Sequence, residues 1–102
     1  MSSVKSSQDL TDDLCDALLT PADREAMLRL LRDLCTPAEV HSLAERWHVA
    51  RLLTTGMSYR EIHEATGVST TTVVRVARFL NQEPHQGYRD AIAALEARDA
   101  DR

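Results

Sequence analysis

The stretch Met57–Leu80, MSYREIHEATGVSTTTVVRVARFL, decides the fold. Ser58 and Glu61 form a capping box, the signature of a helix start. That short helix runs to Thr66 and breaks at Gly67, where a turn needs backbone angles that a Cβ opposes. Ser69 caps a second helix that runs to about Asn81. Two short helices across a glycine turn are a helix-turn-helix over residues 57–81. Ile62 faces inward from the first helix and Val68 plugs the turn. Val73, Val76, Ala77 and Leu80 repeat at i, i+3, i+4 and i+7, the inward stripe of the second. Its outward face is Thr70, Thr71, Val74, Arg75 and Arg78. Arginines suit guanine edges and phosphates, and threonine and valine methyls suit thymine, so this face fits a DNA major groove. The expected DNA-contacting residues are Arg60, Ser69, Thr70, Thr71, Val74, Arg75 and Arg78. Thr70, Thr71 and Val74 are expected on base edges, Arg78 and Arg60 on phosphates.

A plain helical hairpin with a polar exterior is the competing reading. Against it, Ser69–Gln82 holds no acid in a chain with 16 acidic and 12 basic residues. Val74 also points outward, where an inert surface favours Lys or Glu. His63 stands where the motif usually has a small residue, which predicts unusual packing there.

Working outward, the remaining sequence is helical throughout. Its 102 residues suffice for one domain. Leu, Ala, Arg and Glu abound, while Gly and Pro number 3 each, which disfavours a sheet protein. Residues 1–8 lack a hydrophobic period and are expected to be a disordered tail. A helical domain is expected over 9–98 and a short tail over 99–102. Leu10, Leu14, Ala17 and Leu18 form one stripe, ending near Thr20. Thr20-Pro21-Ala22-Asp23 reads as the next helix start, with Thr20 as cap. Met27, Leu30, Leu31 and Leu34 follow, widened by Leu28 and Cys35. Thr36 and Glu39 make a second capping box, opening a helix that stops at Gly56. Val40, Leu43, Ala44, Trp47 and Ala50 make its main stripe, and Val49 and Leu53 a second flank. The Asn81–Gly87 loop contains Pro84, and Tyr88–Arg98 is a last helix. The reading is all-α, about six helices.

The net charge of −4 excludes a polybasic coat that binds by charge alone. No apolar run approaches a membrane span. The Ser-rich start is expected to be neither a signal nor a transit peptide, which with the scarcity of cysteine points to the cytoplasm. Cys15 and Cys35 lack zinc-finger spacing and border apolar stripes, so both are expected in the core. His41, Glu45 and His48 share one helix face, but the histidines lie two turns apart, so a solvated polar face is expected and no metal or other cofactor. No nucleophile turn or phosphate loop points to an enzyme. Residues 57–82 carry Arg60, Arg75 and Arg78 against Glu61 and Glu64, a net +1. So few charges bind DNA weakly. Two copies on adjacent half-sites would repair this, and the wide apolar faces of the second and third helices agree with a dimer.

Thr36-Pro37-x-Glu39, Leu43, Arg46, the Leu52-to-Glu61 stretch, Gly67, Thr72 and Arg75 resemble the tryptophan repressor superfamily. Asp33-Leu34-Cys35-Thr36, Ser42-Leu43-Ala44, Val49-Ala50, Arg75-Val76-x-Arg78, Leu80-Asn81 and Gly87-Tyr88 resemble its tryptophan-repressor-like bacterial branch. The resemblance implies an intertwined homodimer acting on transcription. It also implies an effector pocket drawn from Thr36, Arg46, Arg75 and Phe79. The small residues of that pocket in the founding member are replaced by Val76 and Phe79, so L-tryptophan is not the expected effector. The phenyl ring either stands in for a ligand or packs in the dimer core. The expected function is sequence-specific binding of operator DNA as a helix-turn-helix homodimer, as a bacterial repressor that joins the nucleoid when DNA-bound. The alternative is a helical protein-interaction module, an antitoxin or adaptor without direct DNA readout. The acid-rich first third would suit it with a basic partner.

Overall fold

The computed structural model describes residues 4–101. Six helices follow in order: α1 (Ser7–Leu18), α2 (Arg24–Leu34), α3 (Pro37–Thr54), α4 (Tyr59–Thr66), α5 (Thr70–Asn81) and α6 (Gly87–Ala100). There is no strand among the described residues.

The starts of α1 to α5 are set by side chains that satisfy otherwise unpartnered amides, while α6 starts without a side-chain cap. Thr36 and Glu39 close a reciprocal box at α3: the Thr36 amide donates to Glu39 Oε1 at 2.8 Å and the Glu39 amide to Thr36 Oγ1 at 3.1 Å. Ser58 and Glu61 do the same at α4. Two starts differ from the sequence expectation. Ser6 and Asp9 form a third capping box, so α1 begins at Ser7, inside the stretch expected to be a tail. Residues 1–3 of that stretch lie outside the described residues. At α2 the cap is Asp23, whose carboxylate accepts from the Ala26 amide at 2.8 Å. Thr20 instead turns its hydroxyl back to the Ala17 carbonyl. Asp is the stronger cap, and its later position wins. At the other end α6 continues to Ala100, into the expected tail; Arg102 lies outside the described residues.

The chain divides into two compact units, Met1–Val40 and His41–Arg102. The second owns the core: Val49, Ala50, Ile62, Val68, Val73, Val76, Leu80 and Ile92, with Trp47, Leu52, Leu53, Met57 and Tyr88 packed around it. The Trp47 and Tyr88 rings lie 6.4 Å apart. The first unit has no buried residue in α1 or α2. Four of its leucines stand open, Leu19 at 82% exposure, with Leu10, Leu14 and Leu34 also exposed, while Leu18, Leu28, Leu30 and Leu31 are half-buried. Cys15 is exposed and Cys35 half-buried, which corrects the expectation of core cysteines. In the stripe beside Cys15, Leu10 and Leu14 are exposed and Ala17 and Leu18 only half-buried.

Candidate nucleic-acid interface

The helix-turn-helix is built on the second unit's core. Ile62 of α4 is fully buried, and Val73, Val76, Ala77 and Leu80 of α5 are buried beside it. Between the helices, Gly67 adopts φ +76°, and its amide donates to the His63 carbonyl at 2.8 Å. Thr66 completes the turn: its hydroxyl donates to the Ile62 carbonyl at 2.7 Å and accepts the Val68 amide at 3.1 Å. His63 is accommodated by spanning the turn. Its Nδ1 lies 2.7 Å from the Val68 carbonyl. A carbonyl only accepts, so Nδ1 carries the proton. The large side chain is exposed rather than wedged between helices.

The outer face of α5 is as its sequence implies. Thr70, Thr71, Val74, Arg75 and Arg78 are all exposed, Val74 at 52%. Ser69 caps the helix, accepting the Thr72 amide and donating to the Thr72 hydroxyl at 3.0 Å. With that hydroxyl engaged, the free amides of α5's first turn are what this end offers an anion.

The arginines differ in their engagements. Arg60 pairs with Glu64 at 3.0 Å. Arg78 pairs with Glu83, just beyond the end of α5, at 3.2 Å. Arg75 has no carboxylate partner among the described residues; its guanidinium lies 4.5 Å over the Phe79 ring. Arg78 lies 5.0 Å from the same ring, and His85 stacks on it at 6.1 Å with 14° between planes. Arg89 of α6 fastens the end of α5, donating to the Leu80 carbonyl at 3.2 Å and to Asn81 Oδ1 at 2.6 Å. A cation there also faces the negative end of the helix dipole. Glu83, His85 and Arg89 did not stand out in the sequence. The available signal was proximity: Glu83 is the first acid after a run of eighteen residues without one.

The candidate effector residues are only partly gathered. Arg75 and Phe79 are in contact. Half-buried Arg46 has no hydrogen bond, ion pair or ring contact to them among the described residues. Thr36 is engaged in capping α3. Phe79, His85, Gly87 and Tyr88 line an open, apolar groove of about 320 Å³. His41 pairs with Glu45 at 3.5 Å, an i,i+4 contact on an exposed face. Two carboxyls are held below the usual glutamate range. At Glu39 the Thr36 amide does most, then its hydroxyl; at Glu61 the Ser58 hydroxyl leads and its amide follows.

An all-helical chain with a helix-turn-helix on a small buried core is a recognisable class. The chain belongs to the Trp repressor protein family, whose profile matches residues 9–96. The uncharacterized Bacillus subtilis (strain 168) protein YerC is 46% identical over 70 residues, covering 69% of this chain and 67% of YerC. The crystal structure of a TrpR-like protein from Eubacterium eligens ATCC 27750 superposes with a TM-score of 0.80 at 34% identity, covering 85% of this chain and 89% of that one. A Staphylococcus aureus protein proposed to be a Trp repressor superposes with the same TM-score and identity, covering 85% of this chain and 86% of that one.

Proposed function

We propose that the chain is a sequence-specific DNA-binding regulator of transcription, a repressor that occupies operator DNA as a helix-turn-helix homodimer in the bacterial cytoplasm. The observation that carries this reading is the outer face of α5. It is exposed and free of acid, and it presents Thr70, Thr71 and Val74 beside Arg75 and Arg78. Family membership supports it. Thr70, Thr71 and Val74 read base edges, while Arg60, Arg75, Arg78 and the amides after Ser69 hold phosphate. The second copy covers the open leucines of α1 and α2. It also supplies the second reading head that a weakly charged motif needs.

Gel shifts on random duplex across a salt series test this. Binding should be weak at physiological salt and strengthen sharply below about 0.1 M. Absence of binding at low salt would favour a protein-interaction module instead. Fragments of the host genome retained by the protein would then define the operator. On that site Thr71→Ala should cost about 1–3 kcal/mol and leave random DNA unaffected. Arg78→Ala should weaken binding to both.

The effector reading rests on Phe79. With Arg75 and His85 on its ring, it occupies with protein the flank where a planar ligand would lie. DNA binding therefore proceeds without L-tryptophan. Titration calorimetry should give no dissociation constant below about 100 μM, equivalent to roughly −5.5 kcal/mol.

A further inference from the structure

Among the exposed arginines of the reading head, Arg78 is tied to an acid outside the helices. Its Nε lies 3.2 Å from Glu83 Oε1, and the Glu83 side chain is 33% exposed against 57% for Arg78. Glu83 sits in the loop between α5 and α6, and that loop is held in place. The Glu83 amide donates to the Arg78 carbonyl at 3.1 Å, and the Gln86 side-chain amide donates to the Glu83 carbonyl at 3.3 Å. Arg89 and the His85–Phe79 stack brace both ends of the same loop. A carboxylate so placed offers a guanidinium what a phosphate offers: two oxygens and a negative charge. We propose that Glu83 is an internal phosphate mimic, occupying Arg78 in the free protein and lowering affinity for any duplex that cannot displace it. This rests on the DNA-reading function proposed above.

The consequence is for specificity. Phosphate contacts supply affinity without sequence information, so an acid that competes at one of them weakens non-specific binding. On a matched site the base contacts of Thr70, Thr71 and Val74 position the backbone well enough to displace the carboxylate. When phosphate replaces Glu83, the freed carboxylate gathers counter-cations while the DNA sheds its own. The net ion release, and with it the salt dependence, is smaller than Arg78 alone would give.

The test is a double-mutant cycle on the full chain, read by fluorescence anisotropy with a random duplex over a salt series. Glu83→Gln keeps the shape and removes the charge. It should tighten binding about three- to tenfold at low salt and steepen the salt slope by about one. In an Arg78→Ala background the same change should do almost nothing, since the group it releases is gone. Equal tightening in both backgrounds would overturn the proposal in favour of a general charge effect. No tightening in a wild-type background that binds duplex would overturn it too. A wild-type chain that leaves duplex unbound at low salt would overturn the DNA reading itself, and this inference with it, before any variant is made.

Discussion

α5 and α1 are both twelve-residue amphipathic helices, each with a serine N-cap. Their fates differ. The stripe of α5 is buried: Val73, Val76, Ala77 and Leu80 lose nearly all contact with water. The stripe of α1 is not, and Leu10 and Leu14 stand exposed. Amphipathicity declares that a face wants cover but not whether the cover comes from the same chain. Among the described residues, unit His41–Arg102 completes a core of its own, whereas α1 and α2 of Met1–Val40 bury nothing. The proposed function would use that asymmetry: one region to read DNA, the other to be covered by a second copy.

The strongest way to break the comparison is inside the self-sufficient core. Ile62 is fully buried, so Ile62→Ala should cost about 2–5 kcal/mol, from lost burial and the cavity left behind. Denaturant titrations at two protein concentrations should give the same loss, because the contacts are within one chain. An effect of under 1 kcal/mol would mean that α4 is not packed as described.

The open leucines should behave oppositely. Leu14→Ala should cost about 1–2 kcal/mol per protomer through the interface with the proposed second copy. The wild-type midpoint should rise with protein concentration, as for any dimer without a stable monomer. The variant should carry that dependence to higher concentrations. A monomeric mass by light scattering at micromolar concentration would refute it.

The same contrast explains what could be read from the sequence. The helix-turn-helix was legible residue by residue because its determinants are local: a capping box, a turn glycine and a 3.6-residue stripe. The buried and exposed faces of α5 came out as expected. Cys15 departs from the expectation because a neighbouring stripe marks only a pattern, whereas burial needs a partner as well. Thr20 yields the cap to Asp23 because two caps compete within four residues and the stronger of them stands later. The Arg78–Glu83 pair and the Arg89 clamp were not legible at all. They depend on how the loop after α5 folds back, which no period encodes.

Gly67 sharpens the comparison at the turn. Nothing lies within 4 Å of where a Cβ would stand, so substitution meets no clash. At φ +76° the whole cost is backbone strain. Gly67→Ala should therefore lose about 1–2 kcal/mol and Gly67→Asn clearly less, since Asn tolerates the left-handed region. Equal losses for both would point to a contact rather than to strain.

The smallest effect divides the two regions by pH. Glu39 closes the box that starts α3 and belongs to the first unit; Glu61 closes the one that starts α4 and belongs to the second. Both carboxyls titrate below their usual range in the folded chain, Glu39 because of the Thr36 amide and Glu61 because of the Ser58 hydroxyl. A depressed folded value means the ionised form is favoured by folding. Its contribution is complete above the unfolded value, about pH 4.3, and fades as pH falls through the folded one. Stability should thus be flat with respect to these groups near neutrality and decline on acidification below about pH 4.3. Both sites are open to solvent, so the decline is shallow. Glu61→Gln can still accept from the Ser58 amide but cannot ionise, so it should flatten that part of the acid limb without unfolding the helix. Glu39→Gln should flatten its part as well, but with a dependence on protein concentration if, as proposed, a second copy completes its unit. Acid limbs of the two variants that coincide at every concentration would remove the distinction between a region stable by itself and one stable only in company.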